Sequence, residues 1–451
     1  MINEYRVVRT HSEDADSARG FPFGSFDALR ANFLERSRRS SLVRDQLAGS
    51  SMTPEQAVAT PQSWSQLRPV TKADMIADQE LDPPYGPRSC VSSAELGLVV
   101  ESSGSTGKGR EVHYLSRRDT DRTASAWSRY LANMGVTPWD AIAICFPIGM
   151  AGGGIRHMLA YGRLGATVLR IGGLSSERKI EAIRHYRAST LVATPAYVDH
   201  LGVVAGECGV QPRQLGIRRI VVATQSVSSE WVRSTEELWG AGLFEWYGTS
   251  AGIAAFACAR GMVDGDEHGT LHWDPQVAVQ EVVDPKTGRH VADGERGEMI
   301  GTPLINEAEP LFRIATGDEV RFRAPGSCAC GSSWPGIESG TVRRLDAMFK
   351  VKGVNLWPAT VDALVLSRDE VLDYRARIWQ DERGRERLGL ELLTPAGVSD
   401  QLVEPLRAML REESGLSFEI AVVQRREAWT QQTAGEAGKA RRWVDERAAQ
   451  Q

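Results

Sequence analysis

From residue 140 to 250 the chain alternates between short apolar runs and helical segments, and this alternation limits the fold more than any other feature. The runs are Ala141-Ile-Ala-Ile-Cys-Phe146, Thr167-Val-Leu-Arg170, Thr190-Leu-Val-Ala193, Arg219-Ile-Val-Val-Ala223 and Leu243-Phe-Glu-Trp-Tyr247. Helices are expected between them: from the glycine-rich turn Gly149–Gly154 through Tyr161, then over Ser175–Tyr186, Pro195–Gly206 and Ser229–Trp239. Strands that alternate with helices pair in parallel, and their ligand crevice lies at the strand C-terminal ends. Two of those ends are Ala223-Thr224-Gln225 and Tyr247-Gly248-Thr249-Ser250-Ala251.

The flanks have a different character. Phe26 to Gln46 has helical spacing, Thr71 is placed to cap a helix starting at Lys72, and Arg117 to Met134 reads as an amphipathic helix. Residues 270–325 are β-rich, with turns at Asp284–Gly288 and Asp293-Gly294, which predicts an antiparallel or barrel-like segment. After Asp346 come a hairpin within Ile378–Leu393, a helix over Gln401–Glu413 and a strand over Phe418–Val423. The expectation is therefore an α/β protein with a large unit over residues 1–345 and a small α+β unit over residues 346–451. A chain of 451 residues can bury a full core. A formal net charge of -5 gives no reason to propose nucleic acid or an anionic membrane as partner. Met1–Asp16 is polar and mixed in charge, unlike a signal peptide, and no apolar run reaches the roughly 18 residues of a membrane span. A cytoplasmic protein is expected. Six cysteines in a chain of this length do not make a disulfide scaffold.

Ser102-Ser103-Gly104-Ser105-Thr106-Gly107-Lys108-Gly109-Arg110 lies between two predicted strands, Leu96–Val100 and Glu111–Leu115. Such a turn offers successive backbone N–H groups, hydroxyls and one lysine to a phosphate. It is not a Walker A loop: Ser102 stands where the first glycine would be, and Gly109 follows the lysine.

These stretches together resemble the adenylate-forming superfamily (acyl-CoA synthetases, adenylation domains and luciferases), and within it the phenylacetate–CoA ligase branch. The likeness runs from about Leu67 to Asp445. It is carried by the loop above, by Leu164–Val168, Gly172–Arg178, Ala193–Tyr197 and Tyr247–Ser250. Phe312–Asp318, Arg344–Asp346, Lys352–Pro358 and Gly438–Asp445 follow in family order. The resemblance implies ATP-dependent activation of a carboxylic acid as acyl-adenylate, then rotation of the small domain about a hinge at Asp346 and displacement of AMP by a thiol. It places Ser103, Gly104, Ser105, Thr106, Gly107 and Lys108 on the phosphates and Lys439 on the α-phosphate and carboxylate. Tyr247, with Gly248, Thr249 and Ser250, would line adenine opposite Ala223, Thr224 and Gln225. Asp318 would accept the ribose hydroxyls, with Arg344 near ribose or phosphate. Phe146, Met150, Gly152, Gly153 and His157 would form the acyl pocket, where glycines leave room for a flat ring and Arg156 and His157 face a polar substituent or the carboxylate.

One position departs from the pattern. Ala251 stands where the family usually has a Mg²⁺-binding glutamate, so Mg²⁺ would ride on ATP phosphates and water. Cys258, His272, Cys328 and Cys330 match a Cys, Gly-x-His and C-x-C set found in some relatives, and their chemistry suits a closed, structural tetrahedral Zn²⁺. The leading expectation is an aryl or arylacetic acid ligase using ATP, Mg²⁺ and CoA. The alternatives are an adenylating enzyme of secondary metabolism that passes the acyl group to a carrier-protein thiol, an amine or another small nucleophile, and a non-catalytic binding homologue. The oligomeric state is left open, a dimer included.

Overall fold

The computed structural model describes residues 21–102, 110–223, 226–265, 267–345, 348–368, 370–381, 384–395, 402–424 and 442–447. Strands β1 (Leu96–Glu101) and β2 (Val112–Ser116) form an antiparallel pair. The alternating stretch then gives β3 (Ala141–Ile144), β4 (Thr167–Arg170), β5 (Thr190–Ala193), β6 (Arg219–Ala223) and β7 (Gly242–Gly248). These five pair in parallel in the order β4-β3-β5-β6-β7.

Both faces of this sheet are covered, and the residues alternate accordingly. Ile142, Ile144, Val192, Val221 and Phe244 enter one apolar core; Ala143, Leu191, Ala193, Ile220, Val222 and Leu243 enter another. Successive side chains on a strand point to opposite faces, so an unbroken apolar run is what a two-sided burial requires. The second core is closed by helices Ser176–His185, Pro195–Glu207 and Ser229–Trp239.

The β-rich stretch continues the same sheet. The strand β8 (Ala254–Ala257) pairs antiparallel with β7, and Thr270–His272, Gly336–Glu338, Ile314–Arg323, Arg296–Pro303 and Ala278–Val283 extend it outward. Of the two forms expected, antiparallel or barrel-like, the segment takes the antiparallel one, as an extension of the parallel sheet.

The predicted Phe26–Gln46 helix is two helices, Phe26–Arg36 and Ser41–Gly49. Serines favour competing local hydrogen bonds, and here the chain turns through Ser37-Arg-Arg-Ser40, while Arg36 leaves solvent to donate to the carbonyls of Leu304 and Asn306. Thr71 caps Lys72–Leu81 in a reciprocal box with Asp74. Helix Gly152–Leu164 begins inside the glycine run rather than after it, and ends on Gly165 at φ 93°.

Residues from Val351 to Phe418 have an apolar core of their own, built on the hairpin Asp373–Gln380/Glu386–Leu393 and helix Val403–Ser414. Its sheet is completed by Glu419–Val423 and by Trp443–Asp445, which pairs in parallel with Asp373–Gln380. Leu372 and Leu393 of this unit pack against the second core, and Ser228 Oγ donates to the Leu372 carbonyl at 3.1 Å. Among the described residues, no helix is long and apolar enough to cross a membrane.

Candidate active site

The carboxyl end of β7 meets the strand Ile314–Arg323, and three predicted residues converge there. Tyr247, 2% exposed at the end of β7, donates its hydroxyl to Asp318 Oδ2 at 2.8 Å. Asp318 Oδ1 accepts from Arg344 Nη1 at 3.0 Å, and the two are cross-strand partners in register. Burial, with the Asp318 charge second, holds the Tyr247 phenol well above its ordinary pKa, so it stays a neutral donor.

The backbone explains why Asp318 points this way. Register is lost between Glu298 and Ile300, and the opposing Thr316-Gly317-Asp318 forms a bulge. Gly317 sits at φ 69°, a conformation that suits glycine, and its N–H bonds to Glu298 Oε1 at 3.1 Å. Thr316 Oγ1 accepts the Asp318 N–H at 3.1 Å and donates to the Met299 carbonyl at 2.8 Å. A bulge of this kind re-aims a side chain beside a functional site. Asp318 Oδ2 and Oδ1 accept these two bonds, and an ionised carboxylate is the acceptor that a diol requires.

Ala223 lies half-buried at the end of β6. Thr249 and Ser250 form a tight turn closed by Gly252 N–H to the Thr249 carbonyl at 3.1 Å. Ala251 is buried and carries no ligand atom. Ser103, Gly104, Ser105, Thr106, Gly107, Lys108, Thr224, Gln225, Asp346 and Lys439 lie outside the described residues. The strands flanking the phosphate-type loop are described. Glu101 N–H bonds to the Met150 carbonyl at 2.9 Å, which ties the end of β1 to the acyl turn.

The turn expected to form the acyl pocket is occupied by the protein's own side chains. A Cβ on Gly153 would lie 2.8 Å from the Trp246 ring and one on Gly248 2.5 Å from it, so the indole is wedged between two glycines. A Cβ on Gly152 would lie 2.7 Å from Arg156 Nη1. The room expected for a flat ligand ring at Gly152 and Gly153 therefore holds Arg156 and Trp246. His157 is buried among Trp127, Tyr161, Trp246 and Phe256, its Nδ1 donating to the Gly153 carbonyl at 3.0 Å. Burial pushes its pKa down to about 4. Phe146 is half-buried and Met150 exposed at the mouth.

Cys258, His272, Cys328 and Cys330 come together with their ligand atoms within 4.8 Å of one another. His272 Nδ1 faces the Trp334 carbonyl at 3.2 Å, which leaves Nε2 toward the thiols, 3.5 Å from Cys330 Sγ. Burial opposes charge at His272 and at Cys328, but hydrogen bonding outweighs it: the Cys258, Cys328 and Cys330 thiols hold the imidazole above its ordinary range, and His272 and Cys330 hold the Cys328 thiol below its own. The donor set and the outer hydrogen bond fit a zinc ion.

One contributor gave no sequence signal. Glu245 on β7 is buried, and its Oε2 accepts from Ser339 Oγ and Gly340 N–H, both at 2.6 Å. That contact fixes the turn leading into Arg343–Arg344 across 94 residues of chain.

A family model described as AMP-binding enzyme matches residues 31–302, more than half of the chain. The phenylacetate-coenzyme A ligase of Pseudomonas putida is 28% identical over 366 residues, covering 78% of this chain and 79% of the relative. That of Thermus thermophilus is 29% identical over 307 residues, covering 68% of this chain and 66% of the relative. Among solved structures, 2-hydroxyisobutyryl-CoA ligase in its postadenylation state superposes with a TM-score of 0.76 at 21% identity, covering 94% of this chain and 89% of that one. With the Tyr247–Asp318–Arg344 constellation at the strand ends, the matched model places this chain in the AMP-binding family of adenylate-forming enzymes.

Proposed function

We propose that the protein activates a carboxylic acid with ATP and passes the acyl group to CoA. A carboxylate oxygen attacks the α-phosphate, the bond to the β-phosphate breaks and pyrophosphate leaves. The CoA sulfur then attacks the acyl carbon, and AMP leaves with the bonding pair. The observation that carries this reading is Asp318, buried and aimed by a bulge, with Tyr247 and Arg344 on its two oxygens. That arrangement suits the two ribose hydroxyls of a nucleotide. Tyr247 would position Asp318 as well as face the base, and Arg344 would stand between ribose and phosphate. Ser103, Gly104, Ser105, Thr106, Gly107 and Lys108 are assigned to the phosphates, and Lys439 to the α-phosphate and carboxylate. Both half-reactions gather and release negative charge, so positioned cations and donors are the main means of catalysis.

The loop offers no carboxylate at Ala251, so Mg²⁺ would enter with the triphosphate and water. Zinc at Cys258, His272, Cys328 and Cys330 would be closed and structural. It would pin Thr270–His272 to the 328–330 turn and take no part in chemistry. An aryl or arylacetic acid is the proposed substrate class, supported by phenylacetate-coenzyme A ligases among the relatives.

The test is acid-dependent pyrophosphate release from Mg·ATP across benzoic, phenylacetic, cinnamic and heteroaryl acids, each with and without CoA. Release with a thioester formed only in the presence of CoA is expected. Release without thioester would move the acceptor to a carrier-protein thiol or an amine.

A further inference from the structure

Arg156 is 2% exposed. Two of its N–H groups donate to backbone carbonyls, Nη1 to Thr249 at 3.2 Å and Nη2 to Ser250 at 2.8 Å. Nε is buried and has no partner among the described residues. No described carboxylate pairs with the guanidinium. Glu309, whose charge acts on it from a distance, has its two oxygens on Arg88 at 2.8 Å and His113 at 3.0 Å. Burial pushes the Arg156 pKa down to about 10. A guanidinium out of water with no counter-ion is a costly arrangement, and charges so buried are normally paired.

The position of the cation says what would pair it. Its guanidinium sits between the glycine turn at 151–153 and the loop at 249–252. A Cβ on Gly152 would crowd Nη1 at 2.7 Å, and one on Gly252 would come 4.0 Å from Nη2. The Thr249 hydroxyl in the same loop is likewise buried and without a partner among the described residues. The turn at 151–153 and the loop at 249–252 thus share a cation without a carboxylate partner and a hydroxyl without a hydrogen-bond partner among the described residues.

The reacting carboxylate is a poor match for this cation. It loses its charge on becoming the acyl group of an anhydride, so a buried guanidinium paired to it would stabilise the ground state over the transition state and slow the reaction. An anion that survives both half-reactions keeps the cation paired throughout. We infer that the acid carries a second anionic group beside the carboxylate that is activated, and that Arg156 with the Thr249 hydroxyl receives it. This rests on the acid-activating reading above and narrows its substrate to dicarboxylates or acids of equivalent charge. Arg156 is then a specificity residue that touches substrate.

The experiment compares matched probes: benzoate with phthalate and isophthalate, phenylacetate with 2-carboxyphenylacetate, and propionate with succinate. Acid-dependent pyrophosphate release and ligand-induced thermal stabilisation without ATP are both read, on wild type, Arg156→Lys and Arg156→Gln. At least one dicarboxylate is expected to exceed its monoacid partner by about 100-fold in kcat/KM in wild type, the scale of a buried charge pair. Arg156→Gln should erase that preference, and Arg156→Lys should keep part of it. Equal use of both members of every pair by wild type would overturn the inference while the ligase reading stood, and needs no variant to fold. So would an Arg156→Gln protein that loses both members alike, since that is the mark of a loop clamp only. Arg156-dependent stabilisation by a dicarboxylate, with no pyrophosphate from any acid, would uphold the inference and sink the ligase reading. Absence of both turnover and stabilisation with every dicarboxylate would overturn it.

Discussion

Asp318 and Tyr247 separate two roles that the motif alone merges. Asp318→Ala removes the proposed acceptor for a nucleotide diol and the 3.0 Å bond to Arg344. The expected loss in acid-dependent pyrophosphate release is about 100-fold, the upper end for hydrogen bonds to a charged group. Tyr247→Phe keeps the ring and deletes only the 2.8 Å bond to Asp318, so a loss of about 10-fold, mostly in the KM for ATP, is expected. Glu245 gives a stability test. Burial raises its pKa to about 7 from an ordinary 4.5. The folded state therefore holds a proton that the unfolded chain releases, and the stability this contributes is present below about pH 4.5 and lost as pH rises through about 7. Glu245→Gln keeps an acceptor for Ser339 and Gly340 without the charge. Its melting temperature should gain on wild type between pH 5 and pH 8, by an equivalent of up to about 3 kcal/mol. A difference independent of pH would mean that Glu245 is ionised throughout.

At the scale of elements, period and punctuation made much of the fold legible. Apolar runs predicted β3 to β7, and Thr71 marked a helix start that the structure forms with a full capping box. The break at Ser37–Ser40 was not legible, because it depends on Arg36 reaching carbonyls more than 260 residues away. The same holds for Glu245, whose partners come from a distant turn, and for Arg156, whose meaning lies in the absence of a counter-charge around it. The acyl turn shows a further limit. Its glycines correctly signal a close approach, but sequence does not say whether a ligand or Trp246 makes it. The four-residue cysteine and histidine cluster is an element-scale joint. Metal analysis of the purified protein is expected to give about one zinc per chain, and Cys258→Ser or chelation should lower the melting temperature without changing the KM for ATP. A metal-free protein of unchanged stability would remove the structural zinc.

At the scale of the molecule, one sheet runs from the parallel strands into the antiparallel strands that carry Asp318, so the nucleotide contacts proposed for β6, β7 and Ile314–Arg323 would share one frame. The small unit with its own core follows, and its sheet takes in Trp443–Asp445. Arg442 anchors that strand through Asp373 at 2.7 Å, just after the segment that bears Lys439. Lys439→Ala is expected to slow adenylate formation by 100-fold or more while leaving nucleotide binding and thioester formation from supplied acyl-adenylate largely intact, since a group serving one half-reaction is lost only there. Equal adenylate formation by wild type and Lys439→Ala would remove the lysine from catalysis. Acid-dependent exchange of labelled pyrophosphate into ATP, run on wild type and Asp318→Ala without CoA, reads acid activation and the part of Asp318 in it together. Exchange that requires an acid and falls about 100-fold in the variant is the predicted result. Exchange absent with every acid, or acid-dependent exchange untouched by the loss of Asp318, would contradict the account.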